Sequence, residues 1–397
     1  MSDFPIVSEI RSLLGHTQNV LGLCWLGSSE VLVTGSQDST ARVWGPGQTE
    51  AQAVLHHGSV VFCLDWSSTS LLVTGCLSGG ECVVWTSAGE RVATLSGHSH
   101  FILATKFSDS GRLLVTGSED RTCRVWREEG GSWSCCQVTQ CDGGVNTVVW
   151  RGEQEFFTGG DSVTIQHWRV GRDTPVQTLR GHTGWVNSLA WDGTGLLASG
   201  SSDKTVRFWR PDCPSPAVEP PLRGHLGDVH EVVWGPGTPA ILASWDVSPG
   251  LRIWSAEGDC LHVLPCAKDG MYSSVSCNIS FSPSGLLACR GQEVQVWRPR
   301  SGQLEARLQV EGSGVCWGLG GHRLAVVTQE EEDWKRIRVF DTQELGTLRS
   351  LRTITLRAVA SYLRGRVGKD QEDRKERLSN LGVPRILHKD LQLYMSN

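Results

Sequence analysis

The chain has 397 residues, 39% of them hydrophobic and 20% charged, with a formal net charge of −5. No apolar run approaches the ~18 residues of a membrane-spanning helix, and Met1-Ser2-Asp3-Phe4-Pro5 has neither the basic start nor the apolar core of a signal peptide. The 14 cysteines are scattered and form no CxxC pair, which points to free buried thiols in a reducing compartment and away from disulfides or zinc.

Short segments of strand character follow one another along the chain. Val20-Leu21-Gly22-Leu23-Cys24-Trp25 and Leu71-Leu72-Val73-Thr74-Gly75 are apolar runs of the kind buried on both faces, whereas Thr122-Cys123-Arg124-Val125-Trp126 alternates and belongs nearer the surface. A tryptophan closes each group: Trp44, Trp85, Trp126, Trp168, Trp209, Trp254 and Trp297 stand 41, 41, 42, 41, 45 and 43 residues apart, and Phe340 follows after another 43. Such a period, with 46 Gly to supply turns, predicts an all-β ring of repeated antiparallel units. The proline-rich stretch from Pro211 to Pro221 cannot make a central strand and is expected as an exposed loop. Glu330-Glu331-Glu332-Asp333 is expected as a solvated acidic turn.

Three units carry the same internal signature. Gly15-His16 precedes Thr34, Asp38 and Trp44; Gly97-His98 precedes Thr116, Asp120 and Trp126; Gly181-His182 precedes Ser199, Asp203 and Trp209. An Asp in a tight turn can accept from a buried imidazole, which in turn orders the hydroxyl and the indole N–H. His, Ser and Asp in one place would suit a hydrolase, but an enzyme needs one such site and not several copies. The remaining units are eroded: the second keeps His57 and Trp85 with Gly79 in place of Asp, the fourth has Cys141-Asp142-Gly143 in place of Gly-His, and the sixth has Gly224-His225, Asp246 and Trp254 at stretched spacing.

This pattern resembles the WD40 family, whose blades tie the innermost strand to its neighbours through a Trp–Ser/Thr–His–Asp chain. The resemblance implies a β-propeller over residues 1–341, with residues 6–14 serving as the closing strand of the last blade. Eight aromatic endings and this clasp argue for eight blades, with seven as the alternative. It also implies a protein-binding face at the narrower end of the ring. Carried onto this sequence, that face includes Asn19, Phe101, Leu103, Asn146, Trp185, Asn187, Asp228 and His230 from inner strands, and Gln37, Glu119, Gly160, Ser202 and Trp245 from turns. Phe101, Trp185, Asn187, Asp228, His230 and Trp245 are the expected target-binding residues, since exposed aromatics anchor interfaces.

After Asp341 the character changes. Leu348, Leu351, Ile354, Leu356, Val359 and Leu363 recur at helical spacing, and residues 341–397 hold eleven Lys and Arg against seven Asp and Glu. This tail, residues 345–397, resembles a SOCS box, an α-helical module that docks elongin C and ends in a cullin-selecting turn. Ser350, Leu351, Ile354, Thr355 and Val359 match its elongin-binding helix, with Thr355 at the position of the family's Cys. A second register beginning at Thr347-Leu348 would place Arg352 at that buried position, where an unpaired guanidinium costs several kcal/mol. Leu381, Val383, Pro384 and Leu387 match the cullin box, with Gly382 where the family has its first proline.

The layout resembles that of WD-repeat and SOCS-box proteins and implies a non-catalytic adaptor. The propeller would hold a target protein, and the tail would dock elongin B/C and thereby a cullin–RING ubiquitin ligase. The alternative is a scaffold propeller that assembles a multiprotein complex, its tail an inert helical cap. No cofactor, metal, nucleic acid or membrane partner is expected. Intracellular residence is expected, cytoplasmic first and nuclear second.

Overall fold

The computed structural model describes residues 7–345 apart from 27–29, 214, 247, 249, 266–277, 292, 319, 331–332 and 344. The chain divides into two units between Thr342 and Gln343. The first is an eight-bladed propeller, each blade a four-stranded antiparallel sheet with consecutive inner strands packed side by side around the ring. Blades 1 to 7 begin at Val20, Val61, Ile102, Val145, Val186, Val229 and Ile279, and blade 8 at Gly312.

Burial follows the sequence pattern outward from the axis. The second strands read as continuous apolar runs with a hydroxyl inside, and Leu113–Ser118 of blade 3 is buried throughout. Outer strands such as Arg91–Ser96 of blade 2 face solvent along most of their length, as expected of sheet edges. Tryptophans at the ends of three inner strands staple their blades to the ones before. Trp150 Nε1 donates to Lys106 O at 2.8 Å, Trp234 Nε1 to Ala190 O at 3.1 Å, and Trp25 Nε1 to Cys316 O at 3.0 Å, the last across the seam between first and last blades.

Closure uses the N-terminal segment. Ser8–Leu13 is the outer strand of blade 8, antiparallel to Asp333–Asp341 with Ser8 opposite Asp341 and Leu13 opposite Ile337. Leu13 is fully buried in a cluster with Val20, Trp44, Ile337 and Val339, and Arg11 Nη1 donates to Gly45 O at 2.6 Å.

One stretch differs from expectation. Within the proline-rich insertion, Ala217–Leu222 forms the outer strand of blade 5, with a register shift between Val206 and Phe208 on its partner. Pro220 and Pro221 are tolerated there because an edge strand need not donate on both sides. The twelve described cysteines are free thiols, and Cys63, Cys82, Cys123 and Cys289 are buried within strands.

Candidate protein-binding face

Loops that lead into each inner strand and loops that join second to third strands share one end of an antiparallel blade, and the His–Asp networks lie beneath them. In blade 1, His16 Nδ1 lies 2.8 Å from Asp38 Oδ2 and Nε2 lies 2.7 Å from Thr34 Oγ1, while the Trp44 indole N–H donates to Thr34 Oγ1 at 3.0 Å. Blade 3 repeats this with His98, Asp120, Thr116 and Trp126, and blade 5 with His182, Asp203, Ser199 and Trp209. An ionised Asp accepts Nδ1–H, which leaves Nε2 to accept from the hydroxyl. Burial holds the imidazoles of His16 and His98 below their ordinary value despite the Asp beside them. Burial would raise the Asp120 carboxyl, but hydrogen bonds from Thr122, the Ser99 N–H and His98 outweigh it and bring it down to about 2. Each of these two networks is thus a neutral ring beside a carboxylate at neutral pH. The guanidiniums of Arg42 and Arg124 stand near these rings and oppose their protonation further.

Blade 6, whose spacing marks it as eroded, assembles a fourth network. His225 Nε2 lies 2.6 Å from Ser244 Oγ, Trp254 Nε1 donates to the same oxygen at 2.7 Å, and Asp246 Oδ2 stands 3.1 Å from His225 Nδ1. The hydroxyl stands ten residues before the Trp here as in blades 1, 3 and 5, so counting back from Trp254 finds it; only the Asp has shifted. Blade 2 keeps Trp85 Nε1 on Thr74 Oγ1, with His57 turned to Cys76 Sγ at 3.5 Å. Blade 4 keeps Trp168 Nε1 on Thr158 Oγ1. Having no histidine partner, its Asp161 is exposed and accepts only from Asn146 Nδ2 at 3.2 Å in the hydrogen bonds resolved there.

The expected target-binding residues separate into three groups. Trp185 is 57% exposed and Phe101 43%. Asp228 and His230 are half-buried, and Asn187 is committed to Ser202 Oγ and Val229 O at 3.1 and 3.0 Å. Trp245 is only 5% exposed, because Arg290 of the next blade lies over its ring at 4.6 Å and His230 packs beside it at 6.1 Å. Trp245 therefore walls the channel and offers no free anchor. Of the turn positions, Glu119 is exposed, Gln37 and Ser202 are half-buried, and a Cβ at Gly160 would fall on the Gly144 carbonyl oxygen.

A cavity of about 730 Å³ on the ring axis is lined by inner strands of blades 2 to 7, including Lys106, Asn146, Asn187, His230, Glu231 and Arg290. Arg290 was not singled out from the sequence. It occupies the turn position of blade 7, seven residues before Trp297 as Gln37 is before Trp44, and its N–H bonds Asn278 O as Gln37 N–H bonds Asn19 O. Glu231 staples blades 6 and 7 by accepting from the Asn278 and Ile279 N–H groups at 2.7 and 3.3 Å. The residue as a whole is half-buried, but its carboxyl is enclosed, and burial raises it from 4.5 to about 7. A carboxyl raised in the folded state holds its proton more tightly there. It therefore contributes a decline in stability as pH rises from about 4.5 to about 7, of the order of 1–3 kcal/mol. Glu231→Gln is expected to remove that slope in urea unfolding; an unchanged slope in the variant would refute the assignment.

Among the described residues no cluster of three or more His, Cys, Asp or Glu could hold a metal ion, and no helix is long and apolar enough to cross a membrane. The elongin-binding residues Ser350, Leu351, Ile354, Thr355 and Val359, and the cullin-box residues Leu381, Val383, Pro384 and Leu387, lie outside the described residues, as does the expected helical form of the tail.

Sequence and structure comparisons agree with this architecture. The family model described as WD domain, G-beta repeat matches residues 7–45, 89–127 and 173–210. The mouse F-box-like/WD repeat-containing protein TBL1X is 30% identical over 192 residues, which is 44% of this chain and 36% of that protein. The WD40 repeat-containing protein HOS15 of Arabidopsis thaliana is 31% identical over 195 residues, 45% of this chain and 32% of that one. The match spans about a third of the length of these relatives. Neither is named as an enzyme, and WD40 propellers are generally non-catalytic scaffolds. Among solved structures, the C-terminal WD40 domain of Sif2 superposes with a TM-score of 0.70 at 20% identity, covering 86% of this chain and 99% of that one. The computationally designed Ika8 protein superposes with a TM-score of 0.68 at 21% identity, covering 84% and 99%. These two show the fold.

Proposed function

We propose, from a chain that carries WD40 repeats and closes eight blades, that it is a non-catalytic scaffold whose loop-end face gathers protein partners into a complex. The observation that carries this reading is the pair of exposed aromatics, Trp185 and Phe101, at the same end of a rigid closed ring. Exposed aromatics on a fixed platform anchor partners at low entropic cost. The relatives support it by name as WD-repeat proteins, one of them with an F-box-like part. The test is to purify the tagged chain from its native cells and size it by light scattering. A scaffold runs as an assembly heavier than the monomer, and Trp185→Ala sheds its subunits. A chain that runs alone overturns the reading.

A finer reading makes the chain the substrate adaptor of an elongin B/C–cullin ubiquitin ligase. It is supported by the order of the two half-motifs, Ser350 to Val359 and Leu381 to Leu387, after a closed propeller. The adaptor would act by proximity, holding a target lysine near a charged conjugating enzyme. Purified elongin B/C should bind the chain and not its Leu351→Asp variant. Binding to both selects the Leu348 register, and binding to neither leaves the scaffold reading alone. Free thiols at all twelve described cysteines support cytoplasmic residence in a reducing compartment.

A further inference from the structure

Two of the twelve described thiols touch. Cys123 Sγ and Cys141 Sγ stand 3.8 Å apart. Cys123 is fully buried and Cys141 is 7% exposed, and both belong to the apolar cluster that joins blades 3 and 4 around Trp168.

The backbone sets this pair. Cys123 lies on the third strand of blade 3, Thr122–Glu129, opposite Thr139 of the outer strand Ser132–Gln140. Cys141 follows two residues after Thr139, so its side chain returns to the same face of the sheet. Its N–H continues the ladder by donating to Arg121 O at 2.8 Å. A disulfide needs its sulfurs about 2.05 Å apart, so these two must close by roughly 1.8 Å, which rotation about the two Cα–Cβ bonds can supply. A diagonal pair on neighbouring strands is at the wide end of what a disulfide bridges. Such a bond is one that cellular thiols can reopen.

Cys141 stands where other blades have the network histidine. It precedes Thr158 by 17 residues and Trp168 by 27, the intervals at which His182 precedes Ser199 and Trp209. Blade 4 keeps the bond from Trp168 to Thr158 and has this sulfur in place of the imidazole. The two thiols differ in character. The Cys123 S–H, with smaller contributions from the Thr158 and Thr139 hydroxyls, outweighs burial and holds the Cys141 thiol below its ordinary value. Burial pushes the Cys123 thiol well above its own. Cys141 is thus the nucleophile of the pair and Cys123 the sulfur that resolves it.

We infer that Cys123 and Cys141 form a reversible redox site, closed to a disulfide by hydrogen peroxide and reopened by thiols, which fixes the lead into blade 4 to the third strand of blade 3. The Cys141 thiolate attacks one peroxide oxygen, the O–O bond breaks, and a sulfenic acid and hydroxide form. The Cys123 sulfur then attacks the Cys141 sulfur, the S–O bond breaks, and the departing hydroxide takes the Cys123 proton. Two thiols and one peroxide become one disulfide and two waters, the sulfurs losing the two electrons that the peroxide oxygens gain. In a reducing compartment the pair rests as thiols.

The full chain, reduced and freed of reductant, is treated with hydrogen peroxide, its remaining thiols are blocked with N-ethylmaleimide in denaturant, and its tryptic peptides are weighed without reduction. Residues 122–124 should appear joined to residues 128–151 with the loss of two hydrogens, and fragmentation should place the bond at Cys141, not at Cys135 or Cys136 of the same peptide. Glutathione should return both sulfurs to thiols. In Cys123→Ser, with its fold checked by circular dichroism, dimedone should trap the Cys141 sulfenic acid about tenfold more than in the parent. Amide exchange over residues 139–144 should slow about tenfold on oxidation and recover on reduction. The parent alone decides the bond, so a variant that misfolds leaves the test intact. Both sulfurs still open to N-ethylmaleimide after peroxide, a bond at Cys135 or Cys136 instead, or a bond formed only in denaturant would overturn the site. A bond that leaves the exchange unchanged would overturn its fixing role.

Discussion

Removal of residues 1–14 is expected to cost the propeller about 3–5 kcal/mol and to expose it to aggregation. Ser8–Leu13 is not an ornament on blade 8 but its fourth strand. Leu13 alone sits fully buried between blades 8 and 1, and a buried leucine reduced to alanine costs about 2–5 kcal/mol. The strand also covers the ladder edge of Asp333–Asp341, and an uncovered edge pairs with other chains. Urea unfolding followed by tryptophan fluorescence should show a lower midpoint for the truncated chain and an intermediate shift for Leu13→Ala. Identical midpoints for parent and truncation would mean that the ring closes without its clasp.

Asp120→Ala should be among the most damaging single substitutions in the turns, at about 3–5 kcal/mol. Its carboxylate accepts from the Ser99 N–H at 3.0 Å, the Thr122 N–H at 2.8 Å, the Thr122 hydroxyl at 2.6 Å and His98 at 2.8 Å. Removing it strands several donors in a poorly solvated turn, each worth about 1–3 kcal/mol if left unpaired. The carboxyl titrates near 2 in the folded chain and near 3.8 ordinarily, so its contribution is complete above about 4 and is lost as pH falls toward about 2. Asp38 and Asp203 are held well below the ordinary range too, with hydrogen bonds from His16 and His182 outweighing burial, so they extend the loss to lower pH. Thermal melts of parent and Asp120→Ala should converge as the solution is acidified. A constant gap between them down to about pH 2 would show that the carboxylate is not what stabilises the turn.

The ring was legible in the sequence because closure demands blades of nearly equal length, and Trp44 through Phe340 record that length. The clasp was legible for the same reason, since Ile6 to Leu14 had strand character and no blade of its own. What escaped notice depended on partners one blade away. Trp245 and Trp185 both suit an exposed anchor as single residues; the Arg290 side chain, arriving from blade 7, and His230 beside it hide the first. Lys106 meets Asp65 at 2.7 Å although they stand a full repeat apart, and no local pattern announces such a pair. The blade 6 network was hidden by measuring from Asp246, which has moved, when the Trp254–Ser244 interval has not.

The clasp also imposes an order of events on synthesis. Glu9 pairs with Arg338 at 3.2 Å, yet the two are 329 residues apart in the chain. At ribosomal rates of roughly 5–20 residues per second, the first strand waits on the order of 15–65 seconds before its partner strand exists. Through that interval Leu13 lacks the blade 8 side of its pocket and the strand lacks its ladder, so the segment that seals the finished ring stays uncovered while the ring is being made.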